Sequence, residues 1–123
     1  MNSRLILNGA LSSAEGLAID ETICESAAQG VAPPTLHLYH YKPCVIIGRY
    51  QNAAASLRLD RCEMRGIEVN RRITGGGTVF MTPDQMAFGL ALPSNFPSLP
   101  KSIQGSFEFL AAIFARALSE FGL

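Results

Sequence analysis

The period of the apolar positions changes several times along the chain, and each change marks an element. Residues 4–8 are a short apolar run closed by Asn8-Gly9, which predicts a first strand. A helix follows: Ser12 with Glu15 matches a capping box, and Leu17, Ile19, Ile23, Cys24, Ala27 and Ala28 supply apolar positions until Gly30. Asp20, Glu21 and Glu25 fall on its outer side. Residues 35–41 alternate Leu36, Leu38 and His40 against His37, Tyr39 and Tyr41, the period of a strand. Lys42-Pro43 then turns the chain into Val45-Ile46-Ile47, a continuous run that predicts a buried strand, so the two strands are expected to form a hairpin.

Beyond Gln51-Asn52 the pattern predicts a short helix over residues 57–65, ended by Gly66, and a returning strand over 67–71. Three successive glycines, Gly75 to Gly77, sacrifice both helix and strand stability, so residues 72–77 are irregular. Strands are predicted at 78–81 and 85–92 around a Thr82-Pro83-Asp84 turn. A proline-rich loop over 93–100 precedes an amphipathic helix in which Phe107, Leu110, Ala111, Phe114, Ala115, Leu118 and Phe121 share a core-facing stripe. Strands in the middle and helices at both ends predict one α+β (mixed α/β) domain over residues 1–123, its central, mostly antiparallel sheet flanked by helices. The last helix runs into Phe121-Gly122-Leu123 as though interrupted, so the fold is expected to be incomplete.

Composition narrows the function. The chain has 123 residues, 48% of them hydrophobic, enough for one modest core. Ten basic residues balance ten acidic ones, leaving no bulk field to recruit nucleic acid or an anionic membrane. The cations are nearly all arginines, at positions 4, 49, 58, 61, 65, 71, 72 and 116, which favours forked recognition of anions. Three widely spaced cysteines, Cys24, Cys44 and Cys62, without a CxxC pair argue against a disulfide framework and for a reducing compartment. With no apolar signal core, the expectation is a cytoplasmic protein. His37 and His40 lie on opposite faces of one strand with no third histidine, so a structural role is expected and no metal site. Cys24 is expected to pack in the core, and Asp20 and Glu21, being helix neighbours, do not face one another as an acid/base pair.

The chemistry concentrates at the triple glycine. Such a strand-loop-strand segment lets several backbone N–H groups converge on an anion, and Arg71-Arg72 stands directly before it. Strand alternation lets only one of the two arginines point at the loop, and Arg72 is the expected ligand contact. No Lys-Ser or Lys-Thr follows Gly77, so this is not a P-loop, and the GxGxxG spacing of a dinucleotide fingerprint is missing.

Three strings carry a family resemblance: Arg71-Arg72-Ile73-Thr74-Gly75-Gly76-Gly77-Thr78-Val79-Phe80, the upstream Pro43-Cys44-Val45-Ile46-Ile47-Gly48-Arg49-Tyr50-Gln51-Asn52, and the helical Leu17-Ala18-Ile19-Asp20-Glu21. In this order and spacing they resemble the motifs of the lipoate-protein ligase and octanoyltransferase family. The resemblance implies a fold of the biotin ligase and class II synthetase type. It also implies a two-step reaction in which lipoate and ATP, with Mg2+, give lipoyl-adenylate before the lipoyl group passes to a lysine of an acceptor domain. By this likeness Arg72 and the amides of Gly75, Gly76 and Gly77 hold the carboxylate and phosphate region, and Thr74 adds a hydroxyl. Thr78, Val79 and Phe80 border the adenine, while Leu17, Gly48 and Gln51 line or support the acyl pocket.

Met81-Thr82 stands where family ligases continue with His-Asp, which leaves Asp84 or Gln85 to supply any polar contact there. The family's ligase lysine and transferase cysteine both lie downstream of the segment matched, and Lys101, in a proline-bounded loop, is a poor substitute. No catalytic residue is therefore expected within this chain, and its partners would be a lipoyl-acceptor domain and a second subunit or missing C-terminal half. Two other functions fit the same motifs: transfer of octanoyl or lipoyl groups between carrier proteins without ATP, and a non-catalytic lipoyl-binding or scaffold role.

Overall fold

The computed structural model describes residues 2–123. They form the strands β1 (Arg4–Leu11), β2 (Thr35–Tyr41), β3 (Cys44–Ile47), β4 (Glu68–Arg71), β5 (Val79–Met81) and β6 (Met86–Ala91). The helices are α1 (Ser13–Ala28), α2 (Ala53–Ser56), α3 (Leu59–Met64) and α4 (Ile103–Ser119). The chain divides into two compact units, Met1–Pro93 and Ser94–Leu123. No helix of the described residues is long and apolar enough to cross a membrane.

In the first unit the strands make two three-stranded sheets, ordered β1-β2-β6 and β4-β3-β5. Each centre strand has one parallel and one antiparallel neighbour: β2 runs parallel to β1 and antiparallel to β6, and β3 runs parallel to β4 and antiparallel to β5. The mixed α/β architecture expected from the sequence is present. The single, mostly antiparallel sheet is not, because β2 and β3 do not pair: Lys42-Pro43 carries the chain from one sheet to the other. Local turn residues set where a strand ends, but partner choice is decided by which edges the crossovers bring together. A second difference lies in β1, which runs through Asn8-Gly9 with a register irregularity between Leu7 and Ala10 in place of a turn.

Helix α1 starts as its sequence prescribes. The Ser12 hydroxyl accepts from the Glu15 amide at 3.2 Å, and the Glu15 carboxylate accepts from the Ser12 amide at 2.9 Å. A third anchor is not visible in the sequence: the Glu68 carboxylate of β4 accepts from both the amide and the hydroxyl of the buried Ser13, at 2.8 Å each, placing a negative charge at the helix N-terminus. Asn70 donates to the same hydroxyl at 2.7 Å, so α1 is tied to the β4-β3-β5 sheet while its flank packs on β2 and β6. Close approach is permitted at Gly16, where a Cβ would come within 2.6 Å of the Tyr41 ring. The core divides accordingly into Tyr39, Tyr41, Cys44 and Ile46 on one side and Ile23, Ala27 and Ala91 on the other.

The predicted helix over 57–65 is present as α3, and a further short helix, α2, precedes it where the sequence reading placed none, the two separated at Leu57 and Arg58. In the second unit, Ser102 caps α4 by accepting from the Gly105 amide at 3.1 Å. The amphipathic spacing of α4 is present, yet none of its residues is buried, and Phe107 and Ile103 are 70% and 80% exposed. Helical period fixes which side chains share a face; it does not provide a surface to cover them.

Candidate functional site

Residues 72–78 form an exposed loop between β4 and β5, and its shape follows from where its carbonyls are held. The Thr74 carbonyl accepts from the Arg49 amide at 2.9 Å. The Gly75 carbonyl accepts from Arg72 Nε and Nη2 at 3.1 and 2.8 Å, and the Gly77 carbonyl from Nη2 at 2.9 Å. The Gly76 carbonyl abuts Gly48, where a Cβ would sit 2.1 Å from its oxygen. A trans peptide points its N–H opposite to its C=O. Four consecutive carbonyls engaged in this way turn the amides of Gly75, Gly76 and Gly77 away from Arg49, Arg72 and Gly48, and none of these three meets an acceptor among the described residues.

Two glycines are required for this. Gly48 has no room for a side chain, and Gly76 has φ +102°, with any Cβ there meeting the Arg72 guanidinium at 2.6 Å. Gln51 holds the upstream turn: its side-chain oxygen accepts from the Gly48 amide at 2.8 Å and from the Thr78 hydroxyl at 3.2 Å. Arg71 does the same from the opposite direction, donating to the carbonyls of Gly48, Arg49 and Gln51 at 3.0, 3.0 and 2.6 Å. The two arginines do point apart, as strand alternation requires. Both spend their donors on backbone carbonyls. Arg72 thus braces the loop as well as bordering the groove described next.

That groove lies between α1 and residues 72–74 and has a volume of about 280 Å³. Leu17, Asp20, Glu21, Cys24 and Glu25 line it from the helix, and Arg72, Ile73 and Thr74 from the loop. Of the expected site residues, Leu17, Arg72 and Thr74 stand on its wall. Gly48, Gln51 and Thr78 support the glycine loop behind it, and Val79 and Phe80 lie on β5, paired with Ile46 and Val45. Asp20, Glu21 and Glu25, placed by periodicity on an outward face, instead border the groove, because the loop folds over that side of α1. Cys24 is likewise on the wall and not in the core. Desolvation, with the neighbouring Asp20 charge, pushes its thiol pKa up, which keeps it protonated and a poor nucleophile.

Behind the groove is a polar network that the sequence does not disclose. His37 is fully buried; its Nδ1 lies 2.8 Å from Asp20 Oδ1 and its Nε2 2.8 Å from Asn8 Oδ1. Tyr39 donates to Asp20 Oδ2 at 2.7 Å and lies 2.8 Å from the Tyr41 hydroxyl, while its ring stacks on His37. Both Asp20 oxygens are therefore committed inward. Burial and these contacts push the Tyr39 hydroxyl pKa far up, so it stays a donor. The alternation of β2 places His37, Tyr39 and Tyr41 on one face; their partner from α1 became visible only once the helix was docked. The Thr82–Gln85 turn closes on itself, with Thr82 bonded to both Asp84 and Gln85, so those two side chains serve the turn.

These features match known proteins. Residues 12–123 fit the model of the lipoyl protein ligase A/B catalytic domain. An octanoyltransferase LipM of Exiguobacterium sp. is 37% identical over 97% of this chain and 43% of its own length. A crystal structure of lipoate-protein ligase A bound with ATP superposes with a TM-score of 0.86 at 30% identity, covering 100% of this chain and 48% of that one. An archaeal bi-partite lipoate protein ligase from Thermoplasma acidophilum, studied with its E2 lipoyl domain, gives 0.65 at 35% identity over 73% of this chain and 35% of that one. The chain thus spans under half the length of these proteins. With its glycine loop, its groove and a match over all but the first eleven residues, this chain belongs to the lipoyl protein ligase A/B catalytic domain family.

Proposed function

We propose that this chain forms the acyl-binding half of a cytoplasmic transferase that passes an octanoyl or lipoyl group from a carrier to a lysine of a lipoyl-acceptor domain, without ATP. The observation that carries this reading is the groove beside Arg72, Ile73 and Thr74, whose lining is predominantly apolar and whose titratable groups are three carboxylates, one thiol and one arginine. A neutral acyl chain suits such a lining. A triphosphate does not, since three carboxylates at the wall repel it at every oxygen. The groove is slightly smaller than the roughly 300–1,000 Å³ of drug-sized ligand sites, consistent with a slim chain. The uncommitted amides of Gly75, Gly76 and Gly77 would receive the acyl carbonyl oxygen, stabilising charge that develops there when a lysine attacks. The nucleophile and base would come from outside the segment. Identity of 37% to an octanoyltransferase supports the same reaction.

The second reading, ATP-dependent ligation of lipoate through lipoyl-adenylate, is favoured by the likeness to a ligase that binds ATP. Here the loop amides and Arg72 would hold the acyl-phosphate, and bound nucleotide with Mg2+ would supply the activation of the carboxylate. Among the described residues no group of three His, Cys, Asp or Glu side chains is disposed to hold a metal, so the ion would ride on the nucleotide phosphates.

Calorimetry decides between them. Octanoyl-N-acetylcysteamine should bind this chain with saturable heat, and ATP with Mg2+ should neither bind alone nor tighten lipoate. Binding of ATP and lipoate with no response to the thioester would establish the ligase reading. No response to any of these would leave the groove without an acyl role.

A further inference from the structure

Asn8 and Gly9 sit where the β1 ladder breaks, and no step of the acyl transfer uses them. On either side of the break Leu7 faces Leu38 and Ala10 faces His40, so these two residues stand opposite Tyr39 alone. Strand β1 is an edge of its sheet, and both residues are exposed. A Cβ added at Gly9 would meet nothing within 4 Å, and Gly9 does not occupy the left-handed region, so nothing crowds the peptide that joins it to Asn8. The Asn8 side chain is held at one end only. Its Oδ1 lies 2.8 Å from Nε2 of the fully buried His37, whose Nδ1 is 2.8 Å from Asp20, while its Nδ2 meets no acceptor among the described residues. A proton on Nε2 is donated to the amide oxygen and draws electrons from its carbon, as a donor placed at a developing oxyanion does. Among Asn2, Asn8, Asn52, Asn70 and Asn95, Asn8 alone precedes a glycine.

We infer that Asn8 is a self-modifying site, which loses its side-chain amide to the Gly9 backbone nitrogen and becomes aspartate or isoaspartate. The Gly9 nitrogen bonds to Asn8 Cγ and gives up its proton, the Cγ–Nδ2 bond breaks, and Nδ2 leaves with that proton as ammonia. Water then opens the cyclic imide so formed. Opening at Cγ restores an ordinary peptide with an aspartate side chain, and opening at the backbone carbonyl leaves the chain running through Cγ as isoaspartate. Glycine favours the first step, because it lacks the Cβ that would hinder approach and lets the backbone turn to bring nitrogen and carbon together. The bulge removes the other obstacle, since a regular ladder holds its peptides extended. Each product alters the network that supports the groove wall. Aspartate sets a second carboxylate against His37, opposite Asp20. In isoaspartate the oxygen that met Nε2 joins a lengthened main chain, which does not keep both that contact and the β1–β2 register.

The test ages the complete chain in mildly alkaline buffer and maps its peptides by mass, with Asn2, Asn52, Asn70 and Asn95 as internal references. Asn8 should exchange the mass of an amide for that of an acid at least tenfold faster than any of the four. Gly9→Ala, which the open space admits, should slow that exchange at least tenfold without lowering the urea midpoint. Chain unfolded in urea gives the rate without the fold, and native chain should react within tenfold of it. Asn8 reacting no faster than the references, an unaltered rate in Gly9→Ala, or a native rate more than tenfold below the unfolded one would each overturn the assignment. Asn8→Asp serves as the standard for the aspartate product, and the isoaspartyl fraction should unfold at lower urea than either it or the unaged chain. An isoaspartyl fraction as stable as the unaged chain would overturn the effect on the His37 network.

Discussion

Two regions of the first unit solve opposite problems with the same kinds of residue. At the α1–β2 contact, His37, Asp20, Tyr39, Tyr41 and Asn8 close a polar network inside the protein, every member satisfied by another. In the loop at 72–78, polar backbone groups are divided: carbonyls are held by Arg49 and Arg72, and the amides of Gly75 to Gly77 are left for something else. The first region fixes the position of a wall, and the second keeps donors available. A site of this kind needs both, because an available donor is useful only if its surroundings do not move to satisfy it.

This contrast can be broken from either side. The largest effect is expected on the buried side. His37→Ala leaves one oxygen of the partly buried Asp20 carboxylate and the Asn8 side-chain oxygen without their partner, and should cost about 3 kcal/mol of unfolding free energy, as loss of one member of a buried pair does. Urea titration reads it, and an unchanged midpoint would show the network to be incidental. Gly48→Ala should follow. Its new methyl meets backbone, not a movable side chain, so stability should fall by about 1–3 kcal/mol as for overpacked sites, and thioester binding should be lost with it. Arg72→Ala should separate the two properties, with a small change in the urea midpoint but ligand binding weakened by about 2 kcal/mol, near the value of a charge-assisted hydrogen bond. Equal losses in both would mean that Arg72 serves only the fold.

The smallest effect concerns pH. Hydrogen bonds from Ser12 hold the Glu15 carboxyl below its ordinary pKa. A group whose folded pKa is lowered stabilises the protein above its unfolded pKa and loses that contribution as pH falls through the folded value. Acid titration of helix content should therefore show a small loss below the ordinary carboxylate range, and Glu15→Gln should remove it. Cys44, pushed up to about 11 by burial and by Glu68, should stay unreactive to alkylating reagents at neutral pH in the folded protein.

What could be read from the sequence divides along the same line as the two regions. The glycine loop, the arginine pair and the Ser12–Glu15 box are local signals, legible because the residues that act together are neighbours in the chain. The sheet partners of β2 and β3, the Glu68 anchor on Ser13 and the Asp20–His37 pair join residues 17 or more positions apart, and no periodicity encodes them. The groove falls between these cases. Leu17, Arg72 and Thr74 were identifiable from their motifs, but Asp20, Glu21, Cys24 and Glu25 joined them only because the loop folds over the side of α1 that its helical period marks as outward.

The account depends most on the loop amides, and glycine amides are easily resolved in a proton–nitrogen correlation spectrum. On titration with octanoyl-N-acetylcysteamine, the resonances of Gly75, Gly76 and Gly77 should shift together along one saturation curve, and in Arg72→Ala that shared response should disappear. Shifts confined to residues outside the loop, or glycine shifts that persist unchanged without Arg72, would contradict it.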